Sequence, residues 1–145
     1  MKKLTRALLV FLMMACPAVG WSQHEYPKEI PDLPAVPALV TDFAHLLTPE
    51  EKEQLEEKLN RFEQSSSNEV SVVTVKSLGS LDVSTFAMEL GRKWNIGKAE
   101  RKNGVLLLLA LDEHKVNISP GYGLSGVLPD ITCNHIIQLM LPAFK

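Results

Sequence analysis

The chain has 145 residues, 46% of them hydrophobic, and 15 Lys and Arg against 17 Asp and Glu give it a formal charge of −2. A near-balanced, mildly acidic composition argues against a nucleic-acid reader. Two cysteines exclude a disulfide-stapled scaffold, so the fold must rest on packing.

Residues 1–20 read as a secretory signal peptide. Lys2, Lys3 and Arg6 form a basic start, Ala7 to Ala15 is an apolar run, and Ala18-Val19-Gly20 supplies small residues for cleavage before Trp21. Nine apolar residues fall well short of the ~20 needed to span a bilayer as a helix. The mature chain is therefore expected to be exported, to the periplasm or the cell envelope, and to carry no transmembrane span. Cys16 offers an alternative, since Met14-Ala15-Cys16 stands where a lipoprotein signal places its lipidated cysteine. Removing Lys2, Lys3 and Arg6 takes the formal charge from −2 to −5. About 125 residues remain, enough for one domain with a single core.

Residues 21–39 hold Pro27, Pro31, Pro34 and Pro37 at intervals of three or four, which blocks helix and central strand and predicts an extended tether. Thr48, Pro49 and Glu51 then occupy the N-cap, N1 and N3 positions of a capping box. In the helix that follows, Leu55, Leu59 and Phe62 form one apolar stripe and Glu57 can pair with Arg61. Ser65 to Asn68 is expected to end it. Val70 to Lys76 is a β-branched run and predicts an interior strand. After a turn at Gly79 to Asp82, with Asp82 as N-cap, Val83, Phe86, Ala87, Leu90 and Trp94 describe a second amphipathic helix that Gly97 is placed to stop.

The continuous apolar run from Val105 to Leu111, bounded by Asn103-Gly104 before and Asp112-Glu113-His114 after, predicts a strand buried on both faces. Val116 and Ile118 alternate with polar neighbours, as a strand with one solvated face would. Gly121, Gly123 and Gly126 come next, at a density that permits positive φ and close approach of another chain or ligand. A last helix from about Asp130 carries Ile131, Ile136, Ile137, Met140 and Leu141, with Cys133 as a buried structural thiol. The order helix, strand, helix, strand, strand, helix predicts a parallel crossover followed by a hairpin. The expected fold class is α/β, a three-layer α/β sandwich with a mixed central sheet flanked by helices.

Six segments in order resemble the TPM domain family from about Val40 to Lys145. They are Val40-Thr-Asp-Phe-Ala-His-Leu-Leu-Thr, Glu69-Val-Ser-Val-Val-Thr-Val, Trp94-Asn-Ile-Gly, Asn103-Gly-Val-Leu together with Gly121-Tyr-Gly-Leu, and Leu141-Pro-Ala-Phe-Lys. The resemblance implies an exported or lumenal domain over residues 40–145, shortened at its C-terminal end relative to the family. Plant members are described as acid phosphatases of the thylakoid lumen that aid photosystem II repair, some bacterial members bind divalent cations, and others are accessory proteins of membrane assemblies. Two family carboxylates are missing: Lys102 stands where the family has Asp before Asn-Gly, and Ser125 where it has Glu after Gly-Tyr-Gly-Leu.

A hard cation such as calcium or magnesium seeks several oxygen ligands. Asp42, Asn103 and Asp130 are the candidate set, with loop carbonyls around Gly121 to Gly126. The structural alternative makes Asp42 a turn residue and Asp130 a cap for the last helix after Pro129. Phosphatase chemistry needs a nucleophile over a phosphate cradle or a two-metal cluster. No Cys-x5-Arg loop or Asp-x-Asp motif occurs, His24, His45, His114 and His135 lack ligand spacing, and Ser119 and Ser125 have no evident base. The catalytic residues therefore stay unassigned. The spacing Gly121-x-Gly-x-x-Gly126 does not make a dinucleotide site, because Pro129 interrupts and Asp130 comes too soon. The residues favour an exported accessory module of the cell envelope that binds an unidentified protein partner and a divalent cation. A weak acid phosphatase-like hydrolase is the alternative.

Overall fold

The computed structural model describes Leu33 and residues 38–144. The signal peptide, Cys16 and most of the proline-rich tether lie outside the described residues. The elements in chain order are β1 (Val40–Asp42), α1 (Pro49–Ser66), β2 (Glu69–Val75), α2 (Val83–Trp94), β3 (Gly104–Ala110), β4 (Lys115–Pro120), a 3₁₀ turn at Tyr122–Leu124, α3 (Asp130–Met140) and a closing 3₁₀ turn at Leu141–Phe144. Among the described residues no helix is long and apolar enough to cross a membrane.

The four strands form one mixed sheet in the order β1-β2-β3-β4. β1 and β2 are parallel, as are β2 and β3, whereas β3 and β4 make the antiparallel hairpin. β1 was not legible in the sequence: three residues are too few to show an alternation, and the strand exists because Val40, Thr41 and Asp42 pair with Val72, Val73 and Thr74.

Strand alternation divides the apolar residues between the two faces. Val73 and Val75 of β2 and Leu106, Leu108 and Ala110 of β3 face α2, where Phe86, Ala87 and Leu90 complete the buried core. Leu33 packs against this side too, and its carbonyl accepts from the Trp94 indole at 3.3 Å. On the opposite face α1 lies over β1 and β2, and α3 lies over β4. Helices on both faces of one mixed sheet make the expected three-layer sandwich.

The helix signals are realised with small shifts. Thr48 and Glu51 form the reciprocal capping box, at 3.2 Å and 2.9 Å, and Glu57 pairs with Arg61. α1 runs on through Ser66 to a left-handed Ser67, because the hydroxyls of Ser65 and Ser66 turn back onto the Phe62 carbonyl instead of breaking the helix. α2 begins at the Asp82 cap but is ended by left-handed Asn95, two residues before Gly97. An Asn tolerates that conformation through its short polar side chain.

Pro120 explains why β4 is an edge. Gly121 N–H donates to the Gly104 carbonyl at 2.7 Å. Counting back in alternate positions, Ser119, Asn117 and Lys115 turn their backbone groups to β3, while Val116, Ile118 and Pro120 turn theirs outward. The N–H that proline lacks thus falls on the free edge, where the ladder loses nothing.

Candidate functional site

Three regions carry the residues singled out by the sequence: the carboxyl end of β1 and β2, the glycine-rich opposite end, and the sheet face between α1 and α3.

At the carboxyl end, Asp42 closes a loop. Its two carboxylate oxygens accept from the amides of Leu46 at 3.0 Å and Leu47 at 2.9 Å, and the Thr74 hydroxyl donates to it as well. Thr74 Oγ1 in turn accepts from the Ala44 amide at 3.2 Å. Partial burial pushes the Asp42 carboxyl up, but the Thr74, Leu47 and Leu46 hydrogen bonds and nearby His45 outweigh it and hold the group below the usual carboxylate range. Glu113, in the β3–β4 turn, is arranged alike: it accepts from Ser77 Oγ at 2.7 Å and the Leu78 amide at 2.9 Å. Burial raises its pKa and these bonds, with Lys115, lower it further than burial raises it. A general base works best with a pKa near the working pH, so two carboxylates pushed down are poorly suited to proton transfer. Both are clamps, which is the turn role foreseen for Asp42.

At the opposite end Asn103 is buried and fully engaged. Its amide nitrogen donates to the Ser67 carbonyl and to Asn68 Oδ1 at 3.2 Å, and its Oδ1 accepts from the Lys98 amide at 3.2 Å. It sews the α1–β2 and α2–β3 connections together. Glu69 adds to the same seam by accepting from the Gly97 amide at 3.0 Å.

The glycine-rich loop has a different purpose from the positive φ and the approach of another chain or ligand that were expected. None of Gly121, Gly123 and Gly126 has positive φ. A β-carbon on Gly121 would run into the Lys102 carbonyl, and one on Gly123 into the Arg101 carbonyl. Gly123 N–H donates to Lys102 O at 3.0 Å. Gly97, at φ +89°, and Gly104 crowd each other in the same way on the other side of the 98–102 loop. The close approach that these glycines permit is to the protein's own backbone. Of the three glycines after β4, Gly126 is the one with open space where a β-carbon would stand. Ser125 folds its hydroxyl back onto the Tyr122 carbonyl at 3.0 Å.

Asp130 is exposed at the first helical position of α3, and Pro129 is the N-cap, so Asp130 is not the cap expected. The three candidate cation ligands are not brought together. Asp42 pairs with Thr74 at one end of β2, whereas Asn103 precedes the partner of Glu69 at the other, five residues and roughly 17 Å away along the strand. Among the described residues no group of three or more His, Cys, Asp or Glu is placed to hold a metal ion. The candidate set does not fit one cation, because two of its members are consumed by hydrogen bonds at opposite ends of the sheet.

Sequence reasoning missed the third region. Between α1 and α3 lies a cleft of about 370 Å³, floored by Val70, Val105, Leu107 and Ile118 and walled by Phe62 and Ile136, with Asn68 the one polar lining residue. Its cause is visible in α1, which has no buried residue although Leu55, Leu59 and Phe62 recur as anticipated. Leu107 and Leu109 are accordingly only half-buried, so β3 is covered fully by α2 on one face and incompletely on the other. The signal was present in the composition of α1, with six Glu, two Lys and one Arg in 18 residues, which leaves a narrow apolar stripe.

The family model of the TPM domain matches residues 40–145. Among solved structures, the N-terminal domain of a P. gingivalis protein is 38% identical, with a TM-score of 0.68, over 74% of this chain and 69% of that one. The N-terminal domain of the cg2496 protein from Corynebacterium glutamicum is 18% identical with a TM-score of 0.61, over 81% of this chain and 76% of that one. The BA42 protein from the psychrophilic bacterium Bizionia argentinensis is 24% identical with a TM-score of 0.58, over 68% and 70%. The last two are alike in fold. A search of curated proteins finds no match.

Two outcomes follow from this geometry. Gly123→Ala should cost about 3 kcal/mol or more, because two backbones must part, while Gly126→Ala should change stability by no more than about 0.5 kcal/mol; urea unfolding of the pair measures the contrast. Asp42→Asn should lose about 1–3 kcal/mol at neutral pH. Since the folded pKa is lowered, the Asp42 contribution is present above the ordinary value of 3.8 and disappears as pH falls through the folded value. The deficit of Asp42→Asn should therefore shrink below about pH 4, and an undiminished deficit in acid would refute the clamp.

Proposed function

This chain belongs to the TPM domain family, and from that membership we propose that it is an exported accessory module of the cell envelope that holds a protein partner in the cleft between α1 and α3. The observation that carries this reading is the cleft itself. It has the volume of a binding site, nearly all of its lining is apolar, and its floor is the most hydrophobic strand of the sheet. Phe62, which lines the cleft, is 45% exposed, and Leu139, between the lining residues Ile136 and Met140 in the sequence of α3, is 68% exposed; the two offer anchor points for an apolar partner segment.

Hydrolysis of phosphate esters finds less support. The hydroxyls nearest to carboxylates are Thr74 and Ser77, and both are spent in the clamps. His114 stacks edge-on against Phe144 at 6.1 Å, and no histidine is hydrogen-bonded to a serine or threonine among the described residues. A divalent cation enters the reading as a weak surface ligand. Asp130 is the candidate carboxylate free of a clamp, and it sits at the positive end of the α3 dipole, which opposes a cation.

Phe62→Glu and Leu139→Glu should leave the fold intact, because both side chains are already partly in water. A photocrosslinker at Leu139 in cells should trap one envelope protein, and Phe62→Glu should abolish that adduct. A crosslinker at Met88, on α2 across the sheet, should not give it. An adduct indifferent to Phe62→Glu would remove the cleft from the proposal. Calcium is expected to bind more weakly than ~10⁻³ M, the weak end of extracellular modules, and calorimetry showing tighter binding would restore a cation site.

A further inference from the structure

Among the described residues four large hydrophobic side chains are more than two-thirds exposed, and three of them fall within ten residues: Tyr122 at 85%, Val127 at 78% and Ile131 at 78%. They occupy the 3₁₀ turn after β4, the turn behind it and the first turn of α3. Hydrogen bonds fix these turns to one another: Val127 N–H and Leu128 N–H donate to the Leu124 carbonyl at 3.0 and 2.8 Å, and Cys133 N–H to Pro129 O at 3.1 Å. The same 3₁₀ turn is pressed against the 98–102 loop through Gly121 and Gly123. That loop exposes Lys98, Arg101 and Lys102, and none of the three has an ion-pair partner among the described residues.

We propose that this end of the molecule docks on an anionic membrane surface, with Tyr122, Val127 and Ile131 entering the interface and Lys98, Arg101 and Lys102 resting on acidic headgroups. Tyrosine and aliphatic side chains with a basic margin suit the boundary between headgroup and acyl chain. Charge distribution supplies the choice of partner. At this end the three cations face two exposed acids, Glu100 and Asp130. The opposite end carries the acidic start of α1, with Glu50, Glu51 and Glu53 against Lys52, in a helix about 27 Å long. A mildly acidic protein polarised in this way meets a negative surface with one end only. The proposal goes beyond the cleft, which opens on the sheet face, and shares with it only Val127.

Vesicle flotation of the chain beginning at Trp21 tests it. Vesicles of equimolar phosphatidylglycerol and phosphatidylcholine should carry the protein up, and pure phosphatidylcholine vesicles should carry much less. High salt should release it, since the headgroup contacts are screened. Lys98→Glu with Arg101→Glu should lower partitioning roughly tenfold or more, and Tyr122→Ser with Ile131→Ser should lower it comparably. These side chains are exposed, so circular dichroism should show both variants folded, and both should keep the crosslink at Leu139. No flotation with the anionic vesicles, or equal flotation of the variants, would overturn the proposal. So would a dimer in sedimentation that Tyr122→Ser with Ile131→Ser converts to monomer, since the patch would then be the seat of a second copy.

Discussion

The loop of residues 98–104 is gripped from two sides by backbone that tolerates no β-carbon. On one side Gly97 and Gly104 touch; on the other Gly121 and Gly123 lie against the carbonyls of Lys102 and Arg101. Contacts this close leave a single arrangement for the entry to β3 and the exit from β4. Asn103 then finds its three hydrogen-bond partners and ties the end of α1 to the same point. The glycine-rich motif of the family is in this chain a packing device, and the surface beyond it inherits its shape from that packing.

The sheet built on this anchor is unequally covered. One face has α2 with Phe86, Ala87 and Leu90 sunk into Val73, Leu106 and Leu108. The other has α1, which touches the sheet through partly exposed side chains, and α3, whose one buried residue is Cys133. Burial of the Cys133 thiol raises its pKa, with Asp130 adding to the effect, so the thiol stays protonated and serves as a small apolar group. The gap between these helices leaves Leu107 only half-buried beneath it. A cleft of this kind is costly in water and invites an apolar occupant.

The carboxylates follow an opposite logic. Asp42 and Glu113 are held ionised by amides and hydroxyls, and each closes a connection at the carboxyl end of the strands. A group whose charge is stabilised in this way contributes to the fold across the neutral range and has little capacity left for a metal or a substrate proton. The one exposed member of the candidate set, Asp130, belongs to no group of three or more His, Cys, Asp or Glu placed to hold a metal ion among the described residues.

Local chemistry was enough to determine the elements that depend on neighbours in sequence. The capping box at Thr48 and Glu51, the Asp82 cap, the amphipathic α2, the apolar β3 and the β3–β4 hairpin were all legible, and with them the α/β sandwich and the family. What tertiary structure decided was whatever depends on residues far apart. β1 is a strand only because β2 lies beside it, since three residues hold no period. Whether Gly121 and Gly123 cradle a ligand or their own backbone turns on where residues 101–102 come to rest. Asp42 and Asn103 are equally plausible oxygen donors in a linear chain, and the parallel register of β1, β2 and β3 sends them to opposite ends of the sheet. The cleft, finally, is a property of the distance between α1 and α3, and sequence periodicity reports which side of a helix is apolar but not whether another element arrives to cover it.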